Sequence, residues 1–115
     1  MRSSISASEY GRLAETLATI WLRLRGYRIL GRNVRIAGRE IDVVARRGRT
    51  LVVCEVKGRR SLARGAPAEA VDARKQRRML EAGEMLLAAH PEAELVRFDV
   101  IAVDGLRVRH IPAAF

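Results

Sequence analysis

Residues 40–57 read EIDVVARRGRTLVVCEVK, and this stretch decides the fold. It predicts two strands joined by a tight turn at Arg47-Gly48-Arg49, because both halves consist mainly of Val, Leu, Ile and Ala. The first strand begins with the acids Glu40 and Asp42, and the second ends with Glu55-Val56-Lys57. Burying a charged side chain strips it of water and destabilises a protein, so these charges call for a functional explanation.

Alternation along the two strands brings three of these charged residues together. Side chains two positions apart share a face, so Glu55 and Lys57 point the same way, as do Glu40 and Asp42. If the strands pair around the turn, Asp42 lies close to Glu55 and Lys57. Two carboxylates and an ammonium group suit a hard cation and a phosphate, because Mg²⁺ takes one or two carboxylates together with waters and substrate oxygens.

Length and composition predict one soluble domain. A chain of 115 residues with 49% apolar residues builds a single modest core without disulfides. The single cysteine, Cys54, lies in an apolar run and is interpreted as a small buried side chain rather than a reactive thiol. We find no signal peptide and no apolar run of membrane-spanning length, which favours a cytoplasmic protein without membrane contact.

The net charge points to a polyanionic partner. The chain carries a formal charge of +9 and has a pI of about 11.3. Nucleic acid is favoured over the two alternatives, an anionic membrane and an acidic protein surface.

Helical spacing of apolar residues predicts helices over residues 8–25 and 72–89. The predicted buried stripes are Tyr10, Leu13, Ala14, Leu17, Trp21 and Leu24 in the first helix, and Met79, Ala82, Met85, Leu86 and Ala89 in the second. Glu15, at the border of the first stripe, is either a solvated glutamate or a carboxylate with room beside it for a phosphate or metal. Residues 1–7 are predicted to be a flexible tail and residues 8–115 the folded domain.

Strands are predicted over residues 27–36, 40–46, 50–58, 96–103 and 106–111, with Asp104-Gly105 as a two-residue hairpin turn. The order is therefore α-β-β-β-α-β-β, an α/β domain with a five-stranded mixed sheet flanked by helices. The third and fourth strands are expected to be parallel, because a helix connects them.

Basic residues follow the predicted hairpin. The loop at 58–65 contains Arg59, Arg60 and Arg64 and is either a solvated connection or a phosphate-gripping loop. Lys75 lies on the inward side of the second helix, where it either snorkels to water or points at a phosphate held by the hairpin.

The pattern of Asp42 followed by Glu55-Val56-Lys57, with Glu15 on a preceding helix, is similar to the PD-(D/E)xK nuclease site. The wider sequence resembles the YraN family of small bacterial proteins from about residue 9 to the end. The motifs that carry this resemblance are Gly11-Arg12-Leu13-Ala14-Glu15 with Ala18, Gly26-Tyr27-Arg28-Ile29-Leu30, Asn33, Glu40-Ile41-Asp42, Glu55-Val56-Lys57, Pro67-Ala68-Glu69-Ala70-Val71, Lys75, Arg97-Phe98-Asp99 and His110-Ile111 with Phe115. Two departures are Arg39, where the family often has Gly directly before Glu-Ile-Asp, and Cys54, where Val is more usual.

The resemblance implies a restriction-endonuclease-like fold related to the Holliday-junction resolvases. It also implies that the catalytic positions are Glu15, Asp42, Glu55 and Lys57. Asp42, Glu55 and the Val56 carbonyl would hold Mg²⁺, or Mn²⁺ in its place, and Glu15 would complete the metal shell. Lys57 would orient a water molecule or stabilise developing charge. DNA phosphates would be gripped by Arg59, Arg60 and Arg64, assisted by Lys75.

The leading hypothesis is a metal-dependent endonuclease that acts on branched or structured DNA. The alternative is a catalytically silent nucleic-acid-binding protein that keeps the nuclease fold. A structural RNA-binding or ribosome-associated protein would explain the charge but not the carboxylates. A junction resolvase is expected to be a symmetric homodimer, because it cuts two strands related by two-fold symmetry. No dimer face and no helicase partner can be identified from the sequence.

Overall fold

Two helices and five strands make up the part of the chain that the computed structural model describes, residues 7–58 and 73–115. The elements are α1 Ala7–Leu24, β1 Arg28–Ile36, β2 Arg39–Arg47, β3 Thr50–Lys57, α2 Ala73–Ala89, β4 Leu95–Asp104 and β5 Arg107–Ile111. The predicted α/β class and the order α-β-β-β-α-β-β are confirmed. The predicted tail, apart from Ala7, lies outside the described residues, as does the loop that carries Arg59, Arg60 and Arg64.

The five strands form one mixed sheet in the order β1-β2-β3-β4-β5. All neighbouring strands are antiparallel except β3 and β4, which are parallel as predicted. The hairpin at residues 40–57 closes with Arg47 opposite Thr50, so Gly48 and Arg49 form a two-residue turn. Gly48 has φ of 60°, a conformation that favours glycine at the first position of such a turn.

The second hairpin turn differs from the prediction by one residue. Asp104 pairs with Arg107, which leaves Gly105 and Leu106 as the two loop residues instead of Asp104-Gly105. Gly105 has φ of 64° and occupies the first turn position, as Gly48 does in the other hairpin. The Asp-Gly signal located this turn correctly, but the φ requirement of the glycine fixes its register.

Each face of the sheet carries its own core. One core joins α1 to Val43, Ala45, Val52, Cys54, Ile101 and Val103. The other joins α2 to Ile41, Val44, Leu51, Val53 and Phe98. The helices therefore cover opposite faces of the sheet. Among the described residues, no helix is long and apolar enough to cross a membrane.

The predicted buried stripe of α1 is wrong at Leu13 and Leu24, which are exposed. The fully buried residues of this helix are Ala14, Ala18, Thr19 and Leu22. Small side chains at three of these positions let the helix axis approach the sheet closely, so the contact face is turned away from Leu13 and Leu24. In α2 the buried residues are Met79, Ala82, Gly83 and Leu86, and the predicted members Met85 and Ala89 are exposed.

Gly83 is a close-packing position between α2 and the sheet. A Cβ atom at Gly83 would lie 2.6 Å from Cζ of Phe98, a ring that also stacks on Phe115. We expect Gly83→Ala to destabilise the protein by about 1 kcal/mol, because overpacking of 1–3 kcal/mol outweighs the better helix propensity of alanine. Urea denaturation measures this effect.

Gly11→Ala in α1 is the matched control for Gly83→Ala. A Cβ atom at Gly11 meets no atom within 4 Å, and the residue is exposed. This variant should be more stable than the wild type by about 0.5–1 kcal/mol, because only the propensity gain remains. Equal effects of the two substitutions would contradict the packing explanation.

Candidate functional site

Asp42 lies where β2 and β3 separate. The backbone pairing of these strands runs from Arg47 opposite Thr50 to Val43 opposite Cys54. Strict alternation would place Ile41 on the same face as Val43, yet Ile41 packs in the α2 core and Val43 in the α1 core. The interruption at Asp42 turns its carboxylate toward β3, where Oδ2 accepts a hydrogen bond of 2.8 Å from the Val56 N–H. The Asp42 side chain thus takes the place of a backbone carbonyl as the acceptor for the Val56 N–H at the end of the hairpin.

Glu55 is nearly buried and surrounded by cations. Its side chain is only 10% exposed, and Oε2 accepts a hydrogen bond of 2.6 Å from Lys75 Nζ on α2. Lys57 Nζ lies 3.1 Å from the same oxygen, and Nη2 of Arg39 lies 3.9 Å from Oε1. The geometry agrees with the predicted common face of Glu55 and Lys57. Arg39, for which no role was predicted, also lies beside Glu55.

The two central carboxyl groups have pKa values displaced in opposite directions. Burial, followed by the charge of Glu55, raises the pKa of Asp42 to about 6, and the charge of Glu15 acts in the same direction. Burial alone would also raise the pKa of Glu55, but the hydrogen bond and charge of Lys75, together with Lys57, hold it below its ordinary value. Displaced carboxyl pairs of this kind are frequent at functional sites.

Glu15 reaches the site from α1. Its Oε1 accepts a hydrogen bond of 3.1 Å from Asn33 Nδ2 and lies 3.7 Å from Nη2 of Arg32. The side chain is 15% exposed, which excludes the interpretation of a fully solvated glutamate. Asn33 has φ of 52°, and its side-chain amide orients Glu15. Asparagine adopts the left-handed region more often than most non-glycine residues, so an asparagine inside a predicted strand is the signal that could have identified it.

The structure brings Asp42, Glu55, Lys57 and Lys75 together, with Glu15 close enough to act on Asp42 electrostatically. Val56 lies between Glu55 and Lys57 in the sequence, and its N–H donates a hydrogen bond to Asp42. Glu40 is exposed. The other three predicted DNA contacts, Arg59, Arg60 and Arg64, lie outside the described residues.

The carboxylates of the site offer a small donor set for a divalent cation. Within residues 7–58 and 73–115, no group of three or more His, Cys, Asp and Glu side chains lies close enough together to hold a metal ion. The remaining donor set, Asp42 and Glu55, consists of hard oxygen ligands, of which Mg²⁺ requires only one or two when waters and substrate oxygens complete its shell. Burial, followed by repulsion from Glu55, raises the pKa of Asp42, and a bound cation would relieve this repulsion. The pair fits Mg²⁺; a three-carboxylate cage is absent from the described residues.

Comparison with known proteins identifies the family. Residues 14–103 match the sequence model of the uncharacterised protein family UPF0102. The chain belongs to the UPF0102 family, which is the YraN family. A UPF0102 protein of Syntrophotalea carbinolica is 46% identical over 110 residues, covering 91% of this chain and 89% of the relative. UPF0102 proteins of Anaeromyxobacter dehalogenans and Parvibaculum lavamentivorans are 47% and 43% identical, and the matches cover 91% and 98% of this chain and 82% and 86% of those relatives.

A second polar cluster in this UPF0102 protein lies in the α1 core. The contacts among its members were not predicted from the sequence. Asp99 is completely buried and accepts two hydrogen bonds of 2.8 Å from the Arg97 guanidinium. His110 Nε2 lies 2.6 Å from Asp99 Oδ2, and the Ala113 N–H donates to Oδ1 at 3.0 Å. Arg97 also donates to the Tyr27 hydroxyl at 2.7 Å. The resemblance had singled out Tyr27, Arg97, Asp99 and His110, and in the structure they form one network.

Proposed function

We propose that this UPF0102 protein is a metal-dependent endonuclease that hydrolyses phosphodiester bonds in branched or structured DNA, on a restriction-endonuclease-like fold. The observation that carries the proposal is the meeting of Asp42, Glu55 and Lys57 where two paired strands separate. Carboxylates beside a fixed cation suit metal-assisted attack on a phosphate. The net charge of +9 suits a polyanionic substrate.

Each residue of this site would have its own role in phosphodiester hydrolysis. Asp42, Glu55 and the Val56 carbonyl would hold Mg²⁺ or Mn²⁺, with Glu15 acting on the outer side of the shell. A bound cation of this kind lowers the pKa of water and offsets negative charge on the phosphate. Lys57, held 3.1 Å from Glu55, would orient the attacking water or stabilise charge that develops on the phosphate.

Lys75 links α2 to the site. Its Nζ lies 2.6 Å from Glu55, so it would neutralise Glu55 in the free protein and contact a phosphate in the complex. Arg59, Arg60 and Arg64 follow β3 directly in the sequence and would bind phosphates on either side of the cleaved bond. A DNA duplex or junction held in this way would present its backbone to the carboxylates.

The test is a cleavage assay on four-way junction, flap, single-stranded and duplex DNA with Mg²⁺ or Mn²⁺. The wild type is compared with Asp42→Asn and Glu55→Gln. We expect each variant to lose at least about 100-fold in rate, because even residues that only support a metal ligand contribute 10- to 100-fold. Preference for the junction over the duplex would identify the substrate class.

Glu40→Gln is the control for the cleavage assay. It removes one negative charge two residues from Asp42, from an exposed side chain, and should cleave as the wild type does. Equal cleavage by the wild type, Asp42→Asn and Glu55→Gln would refute the endonuclease. Salt-sensitive DNA binding without cleavage would support the alternative, a binding protein that keeps the fold without turnover.

A further inference from the structure

Arg39 occupies a constrained position at the start of β2. It follows a two-residue turn in which Ala37 and Gly38 have φ of 55° and 70°, and it pairs with Ile36 across that turn. Its side chain is only 18% exposed, which is unusual for an arginine at the end of a strand. The turn and the pairing therefore hold the guanidinium inside the candidate site rather than in solvent.

The hydrogen-bonding capacity of Arg39 is not used by the described residues. Nη2 lies 3.9 Å from Oε1 of Glu55, which is beyond hydrogen-bonding distance. Nε is buried and has no hydrogen-bond partner within residues 7–58 and 73–115. A buried N–H group without an acceptor destabilises a protein, so its retention calls for an acceptor that arrives later.

The charges around Glu55 indicate what this acceptor is. Arg39, Lys57 and Lys75 lie within 4 Å of one carboxylate, at 3.9, 3.1 and 2.6 Å. Arg39 and Lys57 share this one carboxylate, so an excess of positive charge remains beside it, and a divalent cation that takes Glu55 increases that excess. An anion with several oxygens in a tetrahedral arrangement restores the balance, and a guanidinium group binds such an anion through two N–H groups at once.

We propose that Arg39 is a phosphate-binding residue of this site, which lies beside Glu55 in the free protein and donates hydrogen bonds to a DNA backbone phosphate in the complex. The inference rests on the proposed function for the nature of the ligand, a phosphodiester. It adds a substrate contact within the residues that the structure describes, separate from the arginines that follow β3. In the free protein the Glu55 carboxylate holds the Arg39 guanidinium in place, and in the complex the DNA phosphate replaces Glu55 as its partner.

The test measures binding of a labelled four-way junction by fluorescence anisotropy in EDTA, between about 50 and 200 mM salt. We expect Arg39→Gln to weaken binding about 5- to 10-fold and to reduce the slope of log affinity against log salt by about 1, the value for one lost phosphate contact. Arg39→Lys should restore the slope but only part of the affinity, because an ammonium group lacks the planar pair of donors. Arg39→Lys also keeps the positive charge beside Glu55, so recovery of the slope in this variant shows that misfolding does not cause the loss of affinity in Arg39→Gln.

Arg28→Gln is the matched control. Arg28 is exposed and pairs with Arg46 at the other end of the β1–β2 hairpin, about 20 Å along β2 from Arg39. Arg28→Gln removes one positive charge, as Arg39→Gln does, but at a position outside the site. If Arg39→Gln loses no more affinity than Arg28→Gln, the proposal is refuted.

Mn²⁺ binding without DNA separates a substrate contact from a positioning role. Arg39→Gln should bind Mn²⁺ as tightly as the wild type or more tightly, because a cation beside Glu55 has been removed. Weaker Mn²⁺ binding would mean that Arg39 positions the carboxylate, which overturns the proposal. DNA binding in EDTA does not depend on cleavage, so absence of cleavage by the wild type would refute the endonuclease and leave the Arg39 contact standing.

Discussion

Asp99→Asn is expected to lower the free energy of unfolding by about 3–5 kcal/mol, the range for removing one partner of a buried ion pair. Asp99 is fully buried and accepts hydrogen bonds from Arg97 and the Ala113 N–H, with His110 at 2.6 Å. An asparagine side chain has the same shape, but it turns an NH₂ group toward these donors and leaves the Arg97 charge without its counter-ion. Urea denaturation at pH 7, followed by the fluorescence of the single tryptophan, measures the loss.

Glu84→Gln is the control for Asp99→Asn. Glu84 is exposed on α2, so the same replacement of a carboxylate by an amide there should alter stability by no more than about 0.5 kcal/mol. If Asp99→Asn also stays within about 1 kcal/mol of the wild type, the network does not stabilise the fold as described.

Acid should remove much of the contribution of Asp99. Burial would raise the pKa of Asp99, but the hydrogen bonds from Arg97, His110 and the Ala113 N–H lower it to about 2. A carboxyl group whose pKa is lower in the folded than in the unfolded state stabilises the protein above the unfolded value of about 3.9, and this stabilisation is lost as the pH falls toward 2. The difference between the wild type and Asp99→Asn should therefore shrink below pH 4.

Asp42→Asn is expected to do the opposite and stabilise the protein by about 2 kcal/mol at pH 7.5 in EDTA. The pKa of Asp42 is raised from 3.8 to about 6, which is equivalent to about 3 kcal/mol, and partial exposure of the side chain reduces this figure. Asparagine keeps an oxygen for the Val56 N–H and removes the repulsion with Glu55 and Glu15. Residues kept for function at the expense of stability show this behaviour.

The pH dependence of the Asp42→Asn effect distinguishes this cause from others. Because the folded pKa of Asp42 is raised, wild-type stability from this group is complete below pH 3.8 and falls as the pH rises through 6. The gain from asparagine should be absent near pH 4 and fully developed above pH 7. Thermal melts across this range measure it, and a gain that is constant with pH would contradict the electrostatic explanation.

Two comparisons complete the Asp42 experiment. Glu55→Gln should be destabilising at neutral pH, because the charged form of Glu55 is stabilised by Lys75 and Lys57, which hold its pKa below the ordinary value. Added Mn²⁺ should raise the melting temperature of the wild type but not that of Asp42→Asn, because only the native site binds the cation. A rise in the variant equal to that of the wild type would show that Asp42 is not a ligand.

Local patterns in the sequence predict the sheet and the centre of the site. Alternation over residues 40–57 is enough to pair two strands and to put Glu55 and Lys57 on one face, because both features depend on neighbours in the chain. The connection through a helix predicts the parallel pairing of β3 and β4 for the same reason. Helical spacing alone identifies Ala14 but misjudges the rest of the contact face of α1, because small residues such as Ala18 and Thr19 are favoured there by close approach to the sheet and not by hydrophobicity.

Long-range packing decides the features that the sequence leaves open. The hydrogen bond between Arg97 and Tyr27 joins residues 70 apart, and no spacing rule links Asp99 to the Ala113 N–H. The interruption of β2 at Asp42 depends on the packing of Ile41 in the α2 core and of Val43 in the α1 core. Arg39 likewise reads as a surface arginine until the turn before it and the burial of Glu55 are known.

Residues 113–115 are held against the interior: the Ala113 N–H donates to Asp99, the Ala114 N–H donates to the Phe98 carbonyl at 2.8 Å, and the Phe115 ring stacks on Phe98. During synthesis on the ribosome, the buried Asp99 must therefore wait for its final partners until His110 and Ala113 have been made. A nascent chain that terminates before His110 would retain a poorly compensated charge in its core and would be readily degraded by proteases.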